Sequence, residues 1–213
     1  MLQEKIELYS KLLPKNTLII NTNEKNQSFN NYELLHDNSI DFDEIVDLNN
    51  TESDTNDLDL EQSNAGGYTF YFLKNSNYFA VVVINKLLIN NIKESGFALV
   101  GNIIHLITII HEYKHAEDAI NGLNINLESK TVNRLNFEIE AECKTVEVFV
   151  SEINFNRNCI QFLAIRLLNW SQSNNNYKKH IAKGVINKFT RKQMKLWSKL
   201  DFDFYKEYKN SIS

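Results

Sequence analysis

Two histidines four residues apart, His111 and His115, with Glu112 directly after the first, are the residues of this chain whose types and spacing best suit chemistry. At about 100° per residue, helix positions four apart differ by roughly 40°, so both imidazoles leave successive turns in one direction and can share a metal ion. Glu112 lies about 60° round from His115, at the edge of that face. From there a carboxylate reaches a water held at the metal without ligating the metal, as a general base must. Tyr113 and Lys114 project elsewhere. The expected chemistry is zinc-assisted hydrolysis; the plainer alternative is a set of polar residues on a solvated helix end.

The flanking sequence bears on that choice. Phe97-Ala98-Leu99-Val100-Gly101-Asn102-Ile103-Ile104-His105-Leu106-Ile107-Thr108 is apolar on nearly every side, which suits a helix buried through the middle of a domain. Ser95 is the expected N-cap and Asn121-Gly122 the expected stop. A charged cluster inside so buried a helix is costly unless a metal or partners compensate it.

Catalytic zinc usually takes three protein ligands and a water, so a third ligand is needed. A second long helical stretch opens at Asn136-Phe137-Glu138-Ile139-Glu140-Ala141-Glu142-Cys143-Lys144-Thr145. Its Glu138-Ile139-Glu140-Ala141-Glu142 resembles the Glu-x-x-Ala-Asp/Asn signature that follows His-Glu-x-x-His in gluzincin metallopeptidases, the IrrE/ImmA-like group among them, with glutamate in the last place. The resemblance runs over roughly residues 97–149. It implies Glu138 as the third zinc ligand, Ala141 as the small residue that lets two helices approach, and Glu142 as the acceptor that orients a ligand histidine. Glu142 is also one turn from Glu138, a position from which it can fix an imidazole; as a ligand in its own right it stays an alternative. Glu140, roughly 200° around the helix from Glu138, cannot share that face.

Other zinc arrangements fit less well. A metzincin would continue His-Glu-x-x-His-x-x-Gly-x-x-His, and Asp118 and Asn121 occupy its last two fixed positions. Asp118 falls one turn beyond His115 on the metal-facing side, either solvated, the reading to prefer, or orienting a ligand histidine. Cys143 and Cys159 lack the spacing of a thiolate site and read as small core residues in a reducing compartment. His105, about 120° from His111 on the helix, reads as a hydrogen-bonded core residue. Gluzincins often place a tyrosine or histidine where it stabilises the oxyanion, and by that resemblance Tyr177 and His180 are candidates, with ordinary surface residues as the alternative. His36 lies in an acidic segment and carries no catalytic expectation.

The elements that must position these groups follow from length and pattern. With 213 residues, 43% hydrophobic and 11% aromatic, residues 1–213 can bury a full core as one domain, which the gluzincin resemblance implies is zincin-like. Met1 to Leu13 reads as a helix ended by Pro14, and Thr17 to Ile20 as a short strand. Tyr68 to Leu73, the turn Lys74-Asn75-Ser76-Asn77 and Tyr78 to Asn85 read as an antiparallel hairpin. The metal helix follows, then a loop from Leu123 to about Asn133, the Glu138 helix to about Phe155, and two or three more helices. The fold class expected is α+β, a small antiparallel sheet beside a mainly helical body, with a central metal helix and a second helix carrying the third ligand. Tyr78 to Ile84 is the strand expected to offer its edge to an extended peptide.

Charge is polarised along the chain. From Asn26 to Leu73 there are eleven Asp or Glu and no Lys or Arg, whereas from Arg157 onward there are twelve basic and three acidic residues. An acidic insert at about residues 36–66 is expected to be loop or disordered: a lid, a counter-charge or inert. The basic helical part at about 157–213 carries Lys178, Lys179, Lys183, Lys188, Arg191, Lys192, Lys195 and Lys199 interleaved with Phe189, Trp197 and Phe202. Amphipathic helices that turn the aromatics inward are favoured over a nucleic-acid surface. Met1 to Leu13 is charged and unlike a signal peptide, and Asn102 and His105 interrupt the apolar run before His111, so a cytoplasmic protein without a membrane partner is expected. The function expected is hydrolysis of peptide bonds in a peptide or protein substrate, with Zn2+ on His111, His115 and Glu138 and Glu112 as general base. The alternatives are an IrrE-like regulatory protease acting on one partner protein, and a non-catalytic metal-containing module whose basic part binds nucleic acid.

Overall fold

The computed structural model of this chain describes residues 4, 6–8, 13–22, 31–46, 66–123, 125–126, 131–151 and 153–199. In chain order its elements are β1 (Thr17–Thr22), α1 (Asn31–Asp37), β2 (Glu44–Val46), β3 (Gly67–Lys74), β4 (Asn77–Asn85), α2 (Lys86–Ile92), α3 (Ala98–Ile120), β5 (Ile125–Asn126), β6 (Thr131–Val132), α4 (Arg134–Ser151), α5 (Ile153–Trp170), α6 (Asn176–Phe189) and α7 (Arg191–Trp197). The class is α+β, with a small sheet and a mostly helical body. Described residues up to Phe137 form one compact unit and those from Glu138 onward another.

The first unit is built on the β3–β4 hairpin. Asn75 and Ser76 both take positive φ, 50° and 60°, the backbone that lets a two-residue turn match the twist of its strands. Side chains alternate across the sheet. Phe70, Phe72, Val81 and Val83 join Leu34 and Leu35 of α1 and Ile45 of β2 in one apolar cluster. Thr69 and Tyr71, of opposite parity, face the other way, and Thr69 reaches α3. Gly67 permits that close approach: a Cβ there would stand 2.6 Å from the Val83 carbonyl oxygen and 2.8 Å from Thr108 Cγ2.

The sheet differs from the all-antiparallel expectation. Its order is β1-β4-β3-β2, and β1 runs parallel to β4 from Thr17 opposite Ala80 to Thr22 opposite Asn85. The sheet is therefore mixed, and β4 pairs with β3 from Asn77 to Ile84 and with β1 from Ala80 to Asn85. From Ala80 to Ile84 the strand is paired on both sides, which corrects the expectation that Tyr78 to Ile84 offers its edge to a peptide; among the described residues the edge strands are β1 and β2. The start of the acidic segment is also folded. Glu44, Ile45 and Val46 pair with Leu73, Phe72 and Tyr71, and the buried Ile45 and Val46 supply the apolar surface that net charge alone conceals. Residues 47–65, most of the proposed insert, lie outside the described residues, as does most of the helix expected over Met1 to Leu13.

Helix α3 emerges from α2 without the cap expected at Ser95. Asn85 caps the run, its side chain accepting from the Leu88 amide at 3.0 Å, and Ser95 Oγ instead donates back to the Asn91 carbonyl at 2.8 Å. Between α2 and α3, Lys93–Phe97 forms a π-helical turn in which Gly96 has φ 92°. At the other end Asn121 is the C-cap and Gly122 takes φ 69°, as the sequence indicated. By length and composition the run from Lys86 to Ile120 suffices to cross a membrane, contrary to the expectation from its Asn102 and His105, but half of its most apolar window is buried. Ile103, Leu106, Ile107, Ile109 and Ile110 are among its buried residues, the pattern of a core helix.

The segment expected as loop after α3 contains a short ladder, Ile125 with Val132 and Asn126 with Thr131. Asn133 then accepts from the Asn136 amide at 3.3 Å and opens α4. The expected single helix to about Phe155 is two, α4 ending at Ser151 and α5 starting at Ile153. In the second unit Ile181, Ala182, Val185, Met194 and Trp197 are buried while Lys178, Lys179, Lys183, Lys188, Lys192 and Lys195 are exposed, the amphipathic arrangement favoured from the sequence. Phe202 lies outside the described residues.

Candidate metal centre

His111 and His115 leave successive turns of α3 with their rings nearly perpendicular, at 86°, and their Nε2 atoms 3.0 Å apart. Two neutral imidazole lone pairs directed at one point repel, so the arrangement calls for a shared proton or a cation. Two nitrogens on a tetrahedral zinc, each about 2.0–2.1 Å from it, stand about 3.3 Å apart, which this pair nearly matches. Glu138 follows Phe137 on α4, and one ligand atom from each of His111, His115 and Glu138 lies within 4.8 Å of the others. His115 is buried, while His111 and Glu138 are partly exposed. An imidazole pair and a carboxylate form a donor set suited to catalytic zinc. The rival Glu140 is exposed.

Two aromatic residues hold the His115 ring. Phe137 stacks on it at 4.2 Å between centroids with the planes 11° apart, and Tyr71 of β3 meets Phe137 edge-on at 5.9 Å. Phe137 precedes the third candidate ligand, so the stack also anchors the first turn of α4. Sequence reasoning assigned neither aromatic a role. The signal for Tyr71 lies in strand parity, because it shares a face with Thr69 while Phe70 and Phe72 point to the opposite core.

Glu112 is buried at 5% exposure. The Thr69 hydroxyl donates to its Oε2 at 2.8 Å. Thr69 is the third contributor that the sequence reading missed, a threonine among the aromatic residues of β3.

Asp118 is fully buried, at 0% exposure, which corrects the solvated reading. Lys114, one turn earlier, pairs with it and lies 3.5 Å from Glu117. Burying a carboxylate so completely is costly unless such a partner offsets its charge. Glu142 is also buried, and within the second unit both its oxygens accept from Arg166 Nη2, at 2.5 and 2.6 Å. The Arg166 guanidinium lies 5.0 Å from the centroid of Trp170. Ala141 is fully buried. Of the two oxyanion candidates, both on α6 in the second unit, His180 is exposed and its Nδ1 donates to the Asn176 carbonyl at 2.7 Å, whereas the Tyr177 hydroxyl is buried. Cys143 and Cys159 are free and buried, and burial pushes the Cys143 thiol up to about 11, so it stays protonated rather than acting as a thiolate ligand.

His105 is a core histidine, as expected, 2.9 Å by its Nε2 from Lys86 Nζ. Burial, reinforced by Lys86 and Lys93, pulls its pKa down to about 4. The unfolded chain, with an ordinary imidazole near 6.5, binds a proton that the folded chain refuses. This contribution to stability is present above about pH 6.5 and lost as pH falls toward 4, in total about 3 kcal/mol. Denaturant titrations across that window are expected to show the loss, and His105→Gln to flatten it relative to the wild type. Parallel profiles for the two proteins would contradict the assignment.

Comparison with known proteins adds no relative: no family model matches the chain, nor does any curated protein or solved structure.

Proposed function

We propose that the protein is a zinc-dependent peptidase in which His111, His115 and Glu138 hold the metal and Glu112 is the general base. One observation carries the reading: two ring nitrogens and a carboxylate converge within 4.8 Å, with the buried Glu112 next to His111 on the same helix. A purely structural metal site has no use for that glutamate. Bound zinc supplies a Lewis acid that polarises the scissile carbonyl and lowers the pKa of water toward neutrality. Glu112 takes the proton of the attacking water and passes it to the leaving amine. Thr69 fixes the rotation of the Glu112 carboxylate, and Phe137 fixes the plane of the His115 ring. The choice of a peptide bond rests on the resemblance of Glu138 to Glu142 to the gluzincin signature.

The test is digestion of a peptide library and of whole-cell protein by the zinc-loaded chain, with new termini read by mass spectrometry. New termini that vanish on chelation and return with zinc are expected. Cleavage confined to one cellular protein would make the substrate a single partner, and no cleavage in either pool would overturn the proposal. Thr69→Val removes the hydroxyl that orients Glu112. It is expected to lower kcat about tenfold with KM little changed and zinc retained, and Thr69→Ser to restore the rate. Equal rates in wild type and Thr69→Val would remove Thr69 from the mechanism.

A further inference from the structure

A pocket of about 180 Å³ opens on the α3 side of the sheet, beside β1 and apart from the residues of the metal centre. Its apolar wall is Leu13, Ile19, Val82, Ile84 and Ile109, and its polar lining residues are Lys86, His105 and Asn21. Parallel pairing sets Ile19 against Val82 and brings the edge strand to the rim.

The polar end is cationic and incompletely satisfied. An ammonium only donates, so His105 Nε2 accepts from Lys86 and the ring proton sits on Nδ1, which is buried without an acceptor among the described residues. His105 takes one of the three Lys86 N–H groups, and the others find no acceptor among the described residues. Lys93 adds a third basic group. Its side chain lies over Gly101, where an added Cβ would stand 2.5 Å from Lys93 Cγ. Burial and Lys93 lower the proton affinity of Lys86, and among the described residues no carboxylate offsets them. A partly buried ammonium without a counter-charge is costly, and an anion completes it.

We propose that this pocket binds a monocarboxylate with a short apolar tail, its carboxylate on Lys86 and its tail along Ile19, Val82, Ile84 and Ile109. The wall argues for that class over phosphate, because a dianion would leave its second charge against aliphatic side chains. The site is independent of the proposed metal, so its ligand binds the zinc-free chain as well.

Hexanoate titrated into the full chain by calorimetry, in the presence of a chelator, tests the idea. Saturable binding at one site is expected, about fourfold tighter for each methylene added from butyrate to hexanoate. Hexanamide is expected to bind at least about tenfold more weakly, since it forfeits the charge-assisted contact. Lys86→Met removes the ammonium and Val82→Phe fills the cavity while leaving Lys86 in place; each is expected to abolish binding in a protein whose circular dichroism matches the wild type. Absence of saturation in the millimolar range overturns the proposal. So does equal binding of the amide, or unchanged binding by a folded Lys86→Met. If one variant does not fold, the amide comparison on the wild type still decides.

Discussion

Glu112→Gln is expected to retain zinc and lose peptidase activity by about 10²–10⁴-fold, the usual contribution of a positioned general base. The substitution suits the site. Glutamine keeps a side-chain carbonyl that accepts from Thr69, whose hydroxyl lies 2.8 Å from Glu112 Oε2 in the native chain. It also removes a charge buried at 5% exposure, so the fold has no reason to suffer. What it cannot do is accept a proton. Since His111, His115 and Glu138 remain, metal content measured by mass spectrometry should equal that of the wild type while kcat falls and KM changes little. Activity within about tenfold of wild type would assign proton transfer to another group.

The second large effect concerns the third ligand. Glu138→Ala is expected to weaken zinc binding by more than about 100-fold, beyond the 10–100-fold typical of residues that merely orient a ligand. Glu142→Gln is expected to stay within that smaller range, since the amide oxygen still accepts from Arg166, which now holds both carboxylate oxygens at 2.5 and 2.6 Å. Competition titrations against a chromophoric chelator measure both. The reverse order would make Glu142 the ligand and Glu138 a neighbour. Glu138 is partly exposed, so its truncation leaves the core of the second unit intact and the metal-free melting temperature serves as a control.

Much of this was legible from particular residues. Helix periodicity alone places His111 and His115 on one face, and Asn121-Gly122 marks the end of α3 because few residues other than glycine adopt φ 69° readily. Asn75-Ser76 marks the hairpin for a related reason. Long-range partners were not legible. Nothing local to Thr17–Thr22 says that it returns parallel to β4 and closes the edge on which a peptide was expected. Thr69 and Phe137 were overlooked because their importance lies in what they touch, 43 residues away in sequence for Thr69 and Glu112. Asp118 was misjudged for a different reason: the usual exposure of aspartate outweighed both the buried helix it sits on and its partner Lys114 one turn away. In the acidic segment, net charge outweighed Ile45 and Val46 in the reading, although those two residues pair with β3.

X-ray absorption at the zinc edge, on the full chain reconstituted with one equivalent of the metal, tests the central claim most directly. The account predicts two imidazole nitrogens together with oxygen ligands at about 2.0–2.2 Å and no sulfur. A sulfur ligand, or a zinc spectrum without imidazole, would contradict it.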